Sequence, residues 1–300
     1  MDYPHRPSAT GTAMSELPPA QIPIEVLAAA IDPWLQHMTW RRDYVTWRER
    51  RLYQEHHQGE RIAQISHYAG SFVGKELLDL GAGMGGFAVA AALGGAHVHV
   101  SEYNHPYCEI IRLRADRYGL DVPVLNGAGE HLPYADGIFD MVVCWDVIEH
   151  VQVPSAMLDE IYRVLKPGGL LFLTAINRRA WVDPHYHIRG LNWLPRSLAE
   201  WSITWRGRSK DSSQFTDMQQ LSEMHYYDFP AFCQLALAHG FSTRDMNEDA
   251  LLVGNFVSKK PSRIKIRSFL RAVGLERFAY RIQRAWYTGM FELALRKEGA

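Results

Sequence analysis

The sequence lacks the features of secreted, membrane-spanning and general nucleic-acid-binding proteins. Its three cysteines, Cys108, Cys144 and Cys233, are few and far apart in 300 residues, which indicates a reducing compartment with neither a disulfide framework nor a zinc ribbon. No window approaches the run of about 18 apolar residues that a membrane span needs. A net charge of −1 gives no general attraction to nucleic acid. We therefore expect a cytoplasmic protein that does not bind nucleic acid.

The amino terminus also lacks the apolar centre of a signal peptide. Residues 1–20 are rich in Pro, Ser, Thr and Ala, which predicts a disordered leader. The remaining patterns predict N-terminal helices over 21–70, a nucleotide-binding core over 71–177, a cap over 178–229 and the end of the core over 230–300. A hydrophobic fraction of 47% is that of an ordinary globular protein.

The most informative stretch is a buried strand that ends in a glycine turn and opens into a helix. Residues 76–86 read ELLDLGAGMGG, and a second strand over 96–101 carries Glu102 at its tip. The glycines let backbone amides approach a ligand, and the helix amino terminus faces it. The acidic residue can accept hydrogen bonds from ribose hydroxyls. This pattern predicts a nucleotide-sized slot of a kind that both dinucleotides and S-adenosylmethionine use.

Strands and helices alternate through the rest of the core. Further strands are predicted over 122–126, 139–145, 170–176 and 241–246, with helices over 85–93, 104–118, 155–165 and 229–239. Such alternation predicts an α/β fold with a doubly wound, mostly parallel sheet and right-handed crossovers. A seventh, antiparallel strand is expected at Met290–Arg296 in preference to Leu251–Ser258.

Helices are predicted ahead of the core, over 23–37 and 41–68. In the second, Trp40, Tyr44 and Trp47 recur at helical spacing. A stripe of this kind either packs in a core or forms one wall of a substrate site.

Two later segments depart from the alternation. Four of the nine tryptophans, Trp181, Trp193, Trp201 and Trp205, fall within 177–229, which is too aromatic for disorder and predicts a cap over the carboxyl edge of the sheet. The segment 262–288 is predicted to form two amphipathic helices with seven basic residues against one acidic residue. Such helices either bury their apolar stripe on their own domain or make peripheral contact with an anionic membrane surface.

The glycine pattern alone fits a dinucleotide fingerprint, but other motifs favour S-adenosylmethionine. Asp79 stands two residues before the first glycine, EHLPY at 130–134 precedes GIFD at 137–140, and KPGG at 166–169 precedes strand five. In this order and spacing, the motifs resemble the class I S-adenosylmethionine-dependent methyltransferases. The resemblance covers roughly residues 74–177. It is greatest to the small-molecule methyltransferases that include the ubiquinone-pathway O-methyltransferases.

This resemblance implies a Rossmann-like methyltransferase fold, S-adenosylmethionine as cofactor and methyl transfer to a small-molecule acceptor, preferably at a hydroxyl. Asp79 would face the methionine part, Glu102 the ribose and Tyr103 the adenine. The family commonly carries Asp where this chain has Ala128, so Glu130 is the candidate replacement. The full set of implied cofactor-binding residues is Asp79, Gly81, Ala82, Gly83, Glu102, Tyr103, Gly129, Glu130, Trp145 and Asp146.

Methyl transfer to a hydroxyl needs an aligned acceptor and a base for its proton, and histidine is the natural base. The candidates are His150, just after strand four, and His185 and His187, which would point the same way in an extended segment. Loop capping or packing is the competing interpretation for each. Some ubiquinone-pathway relatives carry an acidic-x-x-Glu-His pattern linked to a divalent metal, which 146–150 matches. Because the pattern is widespread, no metal is predicted.

Two other functions stay open. A nicotinamide-dependent reductase would use the same glycine turn, and a binding module could keep the cofactor site without catalysis. Methylation of nucleic-acid bases is disfavoured, because CWDV at 144–147 stands where amino-methylating enzymes carry Asn/Asp-Pro-Pro-aromatic. The aromatic cap favours a ring-bearing or sizeable apolar acceptor. No feature of the sequence indicates an oligomeric state.

Overall fold

The structure is a computed structural model that describes residues 18–39, 41–206, 219–253 and 261–299. The predicted leader over 1–20 lies almost wholly outside the described residues. So do Trp40, the middle of the predicted cap and most of the alternative closing strand over 251–258.

A seven-stranded sheet forms the centre of the molecule. Its strands are β1 Glu76–Leu80, β2 His97–Glu102, β3 Val124–Asn126, β4 Phe139–Cys144, β5 Leu165–Ile176, β6 Phe241–Asp245 and β7 Met290–Lys297. They lie in the order β3-β2-β1-β4-β5-β7-β6, and only β7 is antiparallel to its neighbours. The predicted doubly wound, mostly parallel sheet is confirmed, and the closing strand is the one favoured from the sequence.

Helices surround this sheet. They are α1 Ile24–Leu35, α2 Tyr44–Leu52, α3 Gly59–Ala69, α4 Gly86–Leu93, α5 His105–Asp116, α6 Pro154–Val164, α7 Arg196–Trp205, α8 Phe229–Ala238, α9 Met246–Leu252, α10 Pro261–Ala272 and α11 Glu276–Trp286. No helix in the described ranges combines the length and the apolar character that crossing a membrane requires.

The apolar run of β4 has a simple cause in the packing. Val142 and Cys144 lie in the cluster formed with α6 and α8, whereas Met141 and Val143 lie in the cluster formed with α3, α4 and α5. Alternate side chains of this strand therefore enter two cores, one on each face of the sheet. Cys144 is a buried core residue, as expected.

The single helix predicted over 41–68 is wrong, because the segment is broken. A 3-10 turn, Gln54–His57, separates α2 from α3 and turns Glu55 into the protein interior. There the Glu55 carboxylate accepts hydrogen bonds from Arg114 and from the hydroxyl of Tyr118, the latter at 2.8 Å. Periodicity could not show this break, because it arises from a contact with residues about 60 positions away.

The break also gives the end of α2 its hydrogen-bond partners. The buried guanidinium of Arg114 donates to the carbonyl oxygens of Leu52, at 2.8 Å, and Arg51, at 2.9 Å, which no helical amide can reach. It also donates to the carbonyl of Met84, at 2.8 Å, inside the glycine turn. One buried ion pair therefore joins the N-terminal helices to the loop of the nucleotide slot.

Glu55→Ala should lower the free energy of unfolding by roughly 3–5 kcal/mol, because it leaves the buried Arg114 cation without its counter-charge. Urea unfolding followed by circular dichroism measures the change. Glu60→Ala, at an exposed position of α3, is the matched control and should change stability by less than about 0.5 kcal/mol. Equal effects of the two substitutions would contradict this account.

Candidate active site

The turn between β1 and α4 is built around glycines in the left-handed backbone region. At Gly81, with φ 71°, an added Cβ would stand 2.3 Å from Cγ2 of Val147, so no larger residue fits. At Gly83, with φ 57°, no described atom lies within 4 Å of the place that a Cβ would take. The first glycine lets the loops pack, and the second faces space that a ligand can occupy.

Glu102 holds this turn from the tip of β2. Its Oε2 accepts a hydrogen bond from the amide of Gly83 at 2.7 Å, and its Oε1 accepts one from the amide of Asn104 at 2.8 Å. The residue therefore fixes the loop, and its contact with ribose hydroxyls stays a prediction.

Asp79 lies beside Glu102 in the neighbouring strand and is buried. Its Oδ2 has no hydrogen-bond partner among the described residues. Burial, with a smaller contribution from the Glu102 carboxylate, raises the pKa of Asp79 to about 7, and Arg61 partly opposes this. A buried carboxyl with one unpaired oxygen under a glycine turn fits a ligand with an ammonium group. It would repel a pyrophosphate.

The residues predicted to contact adenine have different surroundings. Tyr103 is 69% exposed, so its ring is available at the rim of the site. Gly129 is buried, and a Cβ there would stand 3.0 Å from Cγ of Met157. Glu130 accepts hydrogen bonds through Oε1 from the amides of Gln152, at 2.8 Å, and Val153, at 3.3 Å. These contacts give Glu130 a role at the start of α6, and its contact with adenine stays a prediction.

Trp145 and Asp146 follow β4 at the same edge of the sheet. The Trp145 ring lies 4.9 Å from the guanidinium of Arg61, and its buried Nε1 has no hydrogen-bond partner in the described structure. Asp146 is exposed, has φ 59° and accepts a hydrogen bond at Oδ1 from the hydroxyl of Thr174 at 2.7 Å. Arg61, from α3, was not predicted at the site, because the helical pattern gives no sign that α3 reaches the glycine turn.

The loop after β4 and the cap bring three side chains together. They are Glu149, His150 and His185. One carboxylate oxygen and one ring nitrogen from each histidine all lie within 4.8 Å of one another. Glu149 is fully buried, neither of its oxygens has a hydrogen-bond partner in the described ranges, and Oε1 lies 3.7 Å from Nε2 of His185. The predicted candidates His150 and His185 are thus neighbours, with ring centroids 5.3 Å apart.

The orientation of His150 is set by Gln219, which follows the undescribed part of the cap. The Gln219 amide nitrogen donates to the carbonyl of His150 at 2.8 Å, so its Oε1 is the atom that lies 3.0 Å from Nδ1 of the ring. Because an amide oxygen only accepts, Nδ1 carries the proton. In the neutral ring, Nε2 then holds the basic lone pair. Gln219 was not predicted at the site, because its contact with His150 spans 69 positions.

His187 does not join this group. The expectation of an extended segment over 183–187 is wrong, because Asp183 closes a turn there. Its Oδ1 accepts the amide of His185 at 2.9 Å, and its carbonyl accepts the amide of His187 at 3.0 Å. His187 is exposed with φ 53°, whereas His185 is half-buried beside Glu149. Asx-turn chemistry overrides the alternation of an extended chain here.

Comparisons with known proteins agree with this geometry. Residues 78–173 match a family described as methyltransferase domain. Ubiquinone biosynthesis O-methyltransferase of Shewanella pealeana is 32% identical over 141 residues, which cover 46% of this chain and 58% of that protein. The enzyme of the same name from Cereibacter sphaeroides is 34% identical over 137 residues, which cover 44% and 54%. The match thus spans little more than half the length of these relatives.

Two solved structures share the fold at low sequence identity. The S-adenosylmethionine-dependent methyltransferase of Mesorhizobium loti superposes with a TM-score of 0.50 at 14% identity, covering 80% of this chain and 97% of that one. The [4+2]-cyclase SpnF gives 0.50 at 19% identity, covering 81% and 83%. The chain carries a class I S-adenosylmethionine-dependent methyltransferase domain. The fold and cofactor predicted from the sequence are confirmed.

The affinity for S-adenosylmethionine should fall about tenfold between pH 8 and pH 6, because its ammonium selects the ionised form of a carboxyl whose pKa is about 7. Asp79→Asn should bind more weakly at pH 8 and should lose most of this pH dependence. Calorimetry measures the affinity of the wild type and of Asp79→Asn at each pH. The variant controls for changes in the protonation of the ligand itself. A wild-type pH dependence that persists in Asp79→Asn would contradict the assignment.

The raised pKa of Asp79 also predicts how the stability of the protein depends on pH. The folded apo protein keeps the Asp79 carboxyl neutral up to about pH 7, whereas an unfolded chain ionises it near 3.8. Its contribution to stability is therefore full below about pH 4 and is lost as the pH rises through 7. Asp79→Asn should accordingly raise the Tm of the apo protein at pH 8 while it weakens cofactor binding.

Proposed function

We propose that this protein transfers a methyl group from S-adenosylmethionine to a hydroxyl of a small, ring-bearing acceptor. The observation that carries this proposal is the position of the Glu149–His150–His185 group. The group follows β4, which pairs with β1, the strand whose end forms the glycine turn. A base and a cofactor slot at neighbouring strand ends can meet one acceptor. The relatives named ubiquinone biosynthesis O-methyltransferase support oxygen as the acceptor atom.

In this proposal, the chain contributes alignment, exclusion of water and one proton transfer. Bound cofactor supplies the methyl group from its sulfonium, with departure of the neutral thioether. His150 accepts the hydroxyl proton at Nε2, because Gln219 holds the other ring nitrogen as a donor. Glu149 then stabilises the positive charge that forms beside it, since its buried carboxylate has no hydrogen-bond partner among the described residues.

The same three residues also fit a divalent cation. One carboxylate and two imidazoles within 4.8 Å of one another make a donor set with room for further ligands, and the two Glu149 oxygens without partners favour such an occupant. The set differs from the acidic-x-x-Glu-His pattern, because Asp146 is hydrogen-bonded to Thr174 and His185 of the cap joins instead. A cation there would polarise the acceptor hydroxyl.

Of the alternatives, a reductase is disfavoured by the buried Asp79 carboxyl, which repels the pyrophosphate that a nicotinamide cofactor carries. A binding module without catalysis is opposed by the histidine group, since a module needs no oriented base. The acceptor is inferred from the cap, whose Tyr226 ring lies near His185 at a centroid distance of 6.5 Å. Aromatic walls of this kind suit a planar ring.

His150→Ala should lower kcat for methyl transfer to catechol-type acceptors by about 10²–10⁴-fold, because it removes the proposed base. The dissociation constant for S-adenosylmethionine should stay unchanged. Transfer of a labelled methyl group measures the first value, and calorimetry the second. His187→Ala is the matched control from the same cap and should keep wild-type activity.

Metal analysis of the purified wild-type protein also tests whether Glu149, His150 and His185 hold a divalent cation. If a divalent cation is held, metal analysis should find close to one ion per chain, and Glu149→Gln should lose it. If His150 acts as a simple base, chelator-treated protein should keep its activity. Full activity in His150→Ala, with or without added metal, would contradict the proposed role of this histidine.

A further inference from the structure

A second feature of the molecule lies outside the cofactor site, on the outer face of α7. Leu194, Leu198, Trp201 and Trp205 recur at helical spacing, and all are exposed; the two tryptophans are 65% and 72% exposed. The opposite side of the helix already buries Ala199 and Ile203 in the cap. This helix therefore meets its own domain with one face and presents a second apolar face outward.

The C-terminal helix pair has the same character. Ile266, Phe269 and Val273 form an exposed strip on α10, and Phe278 and Ile282 form one on α11. α11 is held to the domain by its other side, where the buried Tyr280 hydroxyl donates to Asp245 at 2.9 Å. The apolar strips thus lie on the sides of the helices that do not pack against the domain.

Aromatic contacts connect the two regions. The Trp193 ring, which directly precedes the α7 strip, lies 5.8 Å from the ring of Trp286 at the end of α11 and 4.8 Å from that of Trp181. The amide of Trp181 donates to the carbonyl of Trp286 at 2.8 Å. We call the exposed strips of α7, α10 and α11, with Trp181, Trp193 and Trp286, the tryptophan face.

Basic residues flank this face. Arg277 and Arg281 share a single carboxylate, that of Glu248, and each is more than half exposed. Arg267 and Arg271 likewise share Glu276. Lys265 is exposed on α10 as well. Arg284 also pairs with Glu248 and with Asp245, so that five arginines in these pairs meet three carboxylates. Together with Lys265, they leave a net positive charge beside the apolar strips.

We propose that the tryptophan face binds the surface of an anionic lipid bilayer. The apolar strips would lie at the headgroup boundary, and the exposed Arg271, Arg277, Arg281 and Lys265 would contact the phosphates. Tryptophan suits this position because its ring is apolar and its N–H is a donor. Helices with an apolar strip and basic flanks lie in such interfaces. This proposal does not depend on the identity of the methyl acceptor.

Charge favours a lipid surface over a second copy of the chain. A two-fold dimer through this face would bring the same basic helices toward one another, because such an interface pairs a patch with itself. An anionic bilayer instead supplies the opposite charge over the whole area. Single exposed apolar residues are ordinary, but one connected face with five exposed tryptophans is not.

Flotation with vesicles of phosphatidylglycerol and phosphatidylcholine tests the proposal on the full chain. Wild-type protein should float with vesicles rich in phosphatidylglycerol, and added salt should weaken the binding because the phosphate contacts are screened. The double variant Trp201→Glu/Trp205→Glu should bind at least about tenfold more weakly, since it places charge at the headgroup boundary. The variant Phe278→Glu/Ile282→Glu tests the second strip in the same way.

Val73→Glu is the matched control, because Val73 is 72% exposed just before β1, away from the tryptophan face. It should float like the wild type. Calorimetric binding of S-adenosylmethionine shows that each variant is folded. Failure of the wild-type protein to float, or equal loss in Val73→Glu, would overturn the proposal. So would sedimentation of the wild type as a dimer that Trp201→Glu/Trp205→Glu dissociates.

Discussion

Two carboxylates held side by side at the ends of β1 and β2 set the conditions for the rest of the site. Glu102 is tied to the glycine turn through the amide of Gly83, and Asp79 is buried next to it with one carboxyl oxygen, Oδ2, that has no hydrogen-bond partner among the described residues. Burial and the neighbouring charge keep the pKa of Asp79 far above the usual range of an aspartic acid. Such a pair is costly unless a cationic ligand completes it. We expect the ammonium of S-adenosylmethionine to meet that need, whereas a dinucleotide has no such group to offer.

The parts around this pair come from segments that are distant in sequence. The N-terminal helices supply Arg61, and the buried contact of Glu55 with Arg114 joins those helices to the glycine turn. The cap supplies His185 and Gln219, and it is joined to the core where the amide of His225 donates to the carbonyl of Glu149 at 2.9 Å. The candidate site thus depends on long-range contacts that the sequence motifs of the core do not contain.

The parts of the fold that could be predicted are those set by local patterns. The apolar runs of β1 and β4 and the glycine turn follow from periodicity and turn chemistry, and the closing strand expected at Met290–Arg296 is observed at Met290–Lys297. The break at Glu55 could not be predicted from these rules. At Asp183, the expectation of an extended segment followed the spacing of the histidines and passed over the turn that Asp183-Pro184 favours. Each is a place where a carboxylate finds partners that periodicity does not register: distant side chains in the first case, and nearby backbone amides in the second.

The same distinction applies to the candidate site. Asp79 and Glu102 were predicted because they stand at fixed offsets from the glycines. The positions of His150 and His185 in the sequence predict histidines near the carboxyl edge of the sheet. Their proximity to each other and to Glu149 depends on how the cap folds back over that edge. Arg61 and Gln219 had no local signal at all.

Calorimetric titration of the purified chain with S-adenosylmethionine, its demethylated product, NADH and NADPH shows which class of cofactor the glycine turn holds. We expect binding of S-adenosylmethionine and its product, which both carry the ammonium assigned to Asp79, and no heat from either nicotinamide. Binding of NADH or NADPH with no response to S-adenosylmethionine would contradict it, since the glycine turn would then hold a pyrophosphate beside two carboxylates.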